Sequence, residues 1–178
     1  IASIITSVLT ALYQPFWFSV ILSVLVLFFY LFSYHNETGG RGIRGAFSVW
    51  WQFFKGSAFF RKLFFLTFYT TMILFRTLLN RDMWMNPLSD VMGNWWIWKY
   101  GNDGTRNLTT ECIENLMLFI PFTILLFWTA GKRILKKTTF RTAVWTGLKI
   151  TFVFSLSIES LQLFLRLGTF QVSDLTYN

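Results

Sequence analysis

Charge is scarce in this sequence. Charged residues make up 13% of its 178 positions, against about 25% in an ordinary soluble domain. The chain is 54% hydrophobic and 21% aromatic, with a mean hydropathy of +0.49. One soluble core cannot hide that much apolar surface, so much of it must face lipid. Cysteine and histidine are scarcer still. The single cysteine, Cys112, excludes an internal disulfide and a Cys-rich metal site. The single histidine, His35, is predicted on the opposite side of the membrane, so no Cys–His nucleophilic pair can form. Cys112 therefore reads as a packing residue. The first apolar run is too long for a signal-peptide h-region and lacks a basic start and a small-residue cleavage site. The sequence opens on Ile1 rather than Met and reads as a stretch of something longer, organised as one domain over residues 1–178.

What is present is apolar runs separated by short polar loops. A spanning helix needs roughly 20 mostly apolar residues. Four segments qualify, at about 8–33, 62–80, 111–130 and 142–167. The fold class is thus all-α, a polytopic transmembrane helix bundle with four spans. Pro15 falls in the first turns of its helix, where a missing N–H does least harm. Residues 46–60, aromatic with one basic end, read as a helix lying in the interface or as an early start to the second span. Residues 82–100 carry Trp84, Trp95, Trp96, Trp98 and Tyr100, rings that favour the headgroup level. This segment is read as a second interfacial one.

The formal net charge of +8 does not indicate a nucleic-acid partner, because the basic residues sit in loops between apolar runs, where they set orientation. The first and third loops hold Arg41, Arg44, Lys55, Arg61, Lys62, Lys132, Arg133, Lys136, Lys137 and Arg141. The second holds only Arg81, Lys99 and Arg106. The positive-inside rule makes the first and third loops cytoplasmic and puts the start of the chain outside.

Ionisable residues inside a span are costly and persist where they face a bundle interior or a watery cavity. Arg76 lies near the outer end of the second span, and Glu111, Glu114 and Asn115 open the third. In the fourth, Ser155, Glu159, Gln162 and Arg166 follow at i, i+4, i+7 and i+11, on one helical face. Asp174 and Asn178 come just after it. All of these converge on one depth in the outer leaflet. One reading is polar glue, with Arg76 pairing Glu159 or Glu114 while Asn115 and Gln162 hydrogen-bond across the bundle. The other is an outward-facing polar site. Several carboxylates and two arginines exceed what one glue pair needs.

These residues also resemble a known family. Glu114-Asn115 followed by Phe119-Ile120-Pro121 is similar to the VanZ-like pattern of an Asn, a few apolar residues, then Phe-hydrophobic-Pro. Ile158-Glu159-x-x-Gln162, then Arg166, then Val172-Ser173-Asp174 and Asn178 resembles that family's second signature. Arg76 and Asn86-Pro87 look like its Arg and Asn-Pro elements. The resemblance runs from about Arg76 to Asn178 in the expected order, while the first 60 residues carry no signature. A glycine often follows the Pro-Phe of the first signature, whereas Thr123 stands here. The family's tail usually continues past the Asn into another span, which implies a fifth helix after Asn178. The resemblance further implies a bacterial cytoplasmic (inner) membrane protein. The family's namesake is linked to resistance to the glycopeptide teicoplanin, and the family has no established biochemical activity.

Two kinds of function fit these residues. In the first, the chain binds or modifies an anionic lipid-linked envelope substrate, such as a polyprenyl phosphate or a glycolipid. Arg76 and Arg166 would pair with phosphate, which guanidinium forks match in geometry. Glu159 and Glu114 are the candidate catalytic residues, as orienters or as acid and base. Gln162, Asn115 and Asn178 would fix position, with Glu111 and Asp174 in the same set. Glu111, Glu114, Glu159 and Asp174 could hold a divalent cation, but no spacing dictates one, so neither metal nor cofactor is assigned. In the second, a non-enzymatic scaffold or resistance factor uses the polar cluster for helix packing. A transporter is disfavoured, because no internal repeat is visible. Membrane lipids are the expected partners. Whether the chain is an enzyme, and its oligomeric state, stay open at this stage.

Overall fold

The computed structural model describes residues 13–35, 42–79, 88–89, 91–92, 98–100, 106–108, 111–135, 139–167 and 170–177. Helix α1 spans Phe16–His35, α2 Gly42–Gly56 and α3 Ala58–Leu74, which runs on into a π-helical turn at Phe75–Leu79. Two short strands follow, β1 at Trp98–Tyr100 and β2 at Arg106–Leu108. Helix α4 spans Glu111–Ile134, α5 Phe140–Leu165 and α6 Val172–Tyr177. Four stretches are long and apolar enough to cross a membrane: Phe16–Tyr34, Ala58–Leu79, Leu116–Ile134 and Phe140–Leu165. The chain is therefore a multi-pass helical membrane protein.

Local chemistry sets the boundaries. Pro15 accepts the first helical bond of α1, Ser19 N to Pro15 O at 2.8 Å, so its missing N–H costs nothing. The second span begins at Ala58 rather than near Lys62, because Ser57 stops α2 and caps α3. Its hydroxyl accepts from Phe60 N at 3.2 Å, satisfying one of the orphan donors of a helix start. On the other side of that break, Arg61 Nη1 donates to Phe54 O at 3.1 Å and Lys55 O at 2.7 Å. One guanidinium thereby caps the last carbonyls of α2. The aromatic stretch is thus a separate helix, not an early start to the span.

The lipid-facing surface is apolar and exposed, with Phe29, Ile124, Val153 and Phe164 among many large side chains pointing outward. With no water at this depth, a hydroxyl left without a partner within the chain is costly. Thr67, Thr70, Thr71, Thr77, Thr123 and Thr129 each donate to the carbonyl four residues back. Pro121 inside α4 leaves the carbonyl of Met117 without its helical donor. The Tyr69 hydroxyl of α3 reaches that carbonyl at 3.5 Å, a long contact at the outer limit for a hydrogen bond.

Two cores hold the helices. Near one end Leu27, Leu31, Trp50 and Phe60 join α1, α2 and α3. Further along, Ile73, Phe119, Phe122 and Ile158 join α3, α4 and α5. The buried face of α5 is one stripe, Gly147, Thr151, Ser155, Ile158, Glu159 and Gln162, at the spacing a helix needs to keep them together. Its small end lets α4 approach. A Cβ on Gly147 would lie 3.1 Å from Thr123 Cγ2, tighter than neighbouring side chains allow without shifting. Its large, polar end meets the π-helical turn.

The strands pair antiparallel, with Trp98 opposite Leu108, Lys99 opposite Asn107 and Tyr100 opposite Arg106. They lie in and just after the segment read from sequence as interfacial.

Candidate functional site

The polar end of α5 reads outward from its backbone. Glu159 and Gln162 are each 4% exposed, and Ser155 is buried beside them. Burying such groups costs several kcal/mol in lipid unless each finds partners. They do. Gln162 Nε2 donates to Thr77 O at 2.7 Å, across 85 residues of sequence. Thr77 belongs to the π-helical turn that ends the second span, where backbone carbonyls lose their helical donors. One side chain of α5 thereby caps the end of α3.

Glu159 supports a different element. Its Oε2 accepts from the backbone N–H of Gln171 at 3.2 Å, one residue before α6. That helix folds back against both α4 and α5, with Ser173 fully buried. Val172 N also donates to Val91 O at 2.8 Å, so the loop after the second span and the start of α6 are tied together. The carboxylate thus pins the returning tail onto the bundle.

Arg76 sits within the π-helical turn and is half-buried. It is engaged by a partner, as are Ser155, Glu159 and Gln171 beyond the bonds given above. A π-turn inserts extra backbone into a helix and frequently marks a functional position. Here the turn that carries Arg76 packs directly on α5.

Arg166 behaves otherwise. It ends α5 in the left-handed conformation, φ 56 and ψ 38, a state that costs a non-glycine residue roughly 1–2 kcal/mol. Its backbone N–H closes the helix on Leu163 O at 3.3 Å, and Leu167 N closes on Gln162 O at 2.9 Å. The side chain is exposed. The helical wheel places Arg166 on the same face as Glu159, but the helix stops one residue short of it.

Of the other sequence-predicted residues, Glu111, Glu114 and Asn115 stand in the first turns of α4 and Asp174 stands in α6. Their side chains, and the whole of Asn178, lie outside the described residues. The structure therefore buries Ser155, Glu159 and Gln162 on one face of α5, packs that helix on the π-helical turn that carries Arg76, and folds α6 against α4 and α5. Among the described residues, no three His, Cys, Asp or Glu side chains come together as metal ligands would. Sequence reasoning missed three partners: the Thr77 carbonyl, the Gln171 amide and buried Ser173. The first two are backbone groups that no residue pattern announces. The pair of strands had a signal, since Gly101-Asn102-Asp103-Gly104 is a run of turn residues between two short segments.

A family model described as VanZ/LLP1 matches residues 10–178. No curated protein and no solved structure matches the chain.

Proposed function

The chain belongs to the VanZ/LLP1 family, and on that premise we propose that its polar end is a binding site for an anionic, lipid-linked substrate of the bacterial envelope. One observation supports this most. Glu159 and Gln162 are buried inside a membrane-spanning helix, and that helix packs on the π-helical turn that carries the half-buried Arg76. Helix glue alone requires one satisfied pair; the proposed site would draw on a cation, a carboxylate, an amide and two serines. Arg76 supplies the phosphate contact, Glu159 orients it or exchanges a proton, and Gln162 holds the end of α3 that carries Arg76. Exposed Arg166 stands at the mouth, where a polyprenyl phosphate or glycolipid headgroup would enter. Glu114, Asn115, Glu111, Asp174 and Asn178 complete the set proposed for the site.

In this reading the chain lies in the cytoplasmic membrane with its start outside, so the site faces the periplasm or cell wall. Altered handling of an envelope lipid there would lower susceptibility to teicoplanin, which acts on the outer face. A second reading keeps the cluster as a scaffold for helix packing. It is favoured by the fact that both bonds with known partners, Gln162 to Thr77 and Glu159 to Gln171, go to backbone.

The two readings separate in cells. Expression of the wild-type chain in a susceptible Gram-positive host is expected to raise the teicoplanin inhibitory concentration severalfold, and Glu159→Gln to abolish the rise at equal membrane abundance. Equal protection by Glu159→Gln at equal abundance would mean that the carboxylate serves packing alone.

A further inference from the structure

The opposite end of the bundle holds a second feature, separate from the polar cluster. Lys62 on α3 and Arg76 on the π-helical turn that continues it are 14 positions apart, roughly 21 Å along a helix. Around Lys62, at the start of α3 and the end of α4, lies a cavity of about 420 Å³. Its walls include Lys62, Lys132 and Arg133 together with Phe59, Trp128 and Thr129, and, among the described residues, no acidic one. That volume lies within the range of small-molecule and headgroup sites, roughly 300–1,000 Å³.

Two of these cations, Lys62 and the exposed Arg133, lie over aromatic rings. Lys62 Nζ lies 4.9 Å from the Trp128 ring centroid, and Arg133 Cζ lies 5.8 Å from that of Phe59. Each ring face attracts its cation and limits its freedom. Thr129 Oγ1 reaches Lys62 O at 3.3 Å, which joins α3 to α4 behind the cavity. Three like charges held at one cavity repel one another, and an anion seated among them relieves that repulsion. The aromatic walls suit the glycerol and first methylenes of an amphiphile better than a bare ion.

From this geometry we infer that the cavity between the start of α3 and the end of α4 binds a phosphate group, as carried by the headgroup of an anionic glycerophospholipid. Basic pockets between membrane helices hold such headgroups by the same combination of charge and depth. The site is independent of the polar cluster and of whatever that cluster binds.

Native mass spectrometry of the purified, delipidated chain tests it, with phosphatidylglycerol and phosphatidylcholine titrated separately. Phosphatidylglycerol is expected to be retained and phosphatidylcholine released. The double substitution Lys62→Gln with Arg133→Gln should weaken phosphatidylglycerol binding roughly thirtyfold, at about one kcal/mol per cation. Arg141→Gln removes an exposed charge at the same end outside the cavity and should weaken binding less than about threefold. If the double variant does not fold, Arg133→Gln alone changes an exposed side chain and should weaken binding roughly fivefold with an unchanged unfolding midpoint. Displacement by added inorganic phosphate would show that a soluble phosphate suffices; resistance to it would show that the lipid body is required. Either supports the site. Equal retention of phosphatidylcholine, or an Arg141→Gln loss as large as that of the double variant, would overturn it.

Discussion

Glu159→Leu is expected to detach the tail of the chain from the bundle, whereas Glu159→Gln leaves it in place. The carboxylate accepts from the Gln171 amide at 3.2 Å, with Glu159 buried and Gln171 half-buried. Leucine fills a similar volume but leaves that N–H unpaired, at a cost of about 1–3 kcal/mol. The cost falls locally, on the start of α6, because α6 is short and its other named anchor is the Val172 to Val91 bond. Glutamine keeps an acceptor oxygen in the same position and should cost under about 1 kcal/mol. Limited proteolysis, read with the thermal midpoint in detergent, separates the two. Leu is expected to make the segment after Arg166 susceptible to cleavage, and Gln to leave it as resistant as wild type. Equal susceptibility of the two variants would mean that the charge, not the acceptor, holds the tail.

The largest loss of stability is expected at the other end of the molecule, from Trp50→Ala. Trp50 is 4% exposed and is the ring on which α1, α2 and α3 meet. Its centroid lies 5.1 Å from that of Phe54, 5.7 Å from Phe60, 6.1 Å from Phe64 and 6.3 Å from Phe28. Between helices in lipid the transfer of apolar surface from water contributes little, so dispersion and ring geometry dominate. Truncation to alanine leaves a cavity that three helices cannot collapse to fill, and the expected cost is about 2–4 kcal/mol. The indole also carries a weakness. Its Nε1 is buried without a hydrogen-bond partner among the described residues, which penalises tryptophan by about 1–3 kcal/mol. Trp50→Phe should therefore be far milder than Trp50→Ala, because relief of that donor offsets part of the lost volume. Chemical denaturation in mixed micelles gives both values. A phenylalanine variant as unstable as the alanine one would show that the indole edge itself carries the packing.

How much of this was legible in the sequence follows from which groups carry each feature. The four spans were, because a membrane demands some 20 apolar residues in a row and few other structures do. Their ends were less so. The break at Gly56-Ser57 turns on one capping hydroxyl, and an aromatic run from Trp50 to Phe65 hides it in any hydropathy window. The buried stripe of α5 was legible in its periodicity: Ser155, Glu159 and Gln162 are buried together as their spacing requires. Arg166 was placed on that face by the same arithmetic, but arithmetic continues a helix past the point where the backbone turns left-handed. The π-helical turn around Arg76 had no signature at all, since it depends on which carbonyls the incoming helices can cap. Gln162 donating to Thr77 O is a contact between a side chain and a carbonyl, and every residue has a carbonyl.

Arg76, Glu159 and Gln162 are proposed as a site for a lipid-linked anion and not merely a joint between helices. The most direct test is native mass spectrometry of the purified chain against polyprenyl phosphates and glycolipids, made in the Lys62→Gln, Arg133→Gln background so that lipid held at the basic end is not counted. Wild-type polar residues are compared there with Glu159→Gln and Arg76→Lys, each checked for an unchanged unfolding midpoint. One lipid class is expected to bind selectively and both substitutions to weaken it at least about tenfold, through loss of a charged hydrogen-bonding partner at Glu159 and of the bidentate guanidinium fork at Arg76. Equal lipid binding by all three proteins, each equally stable, would contradict it and leave the cluster as the joint between α3, α5 and α6.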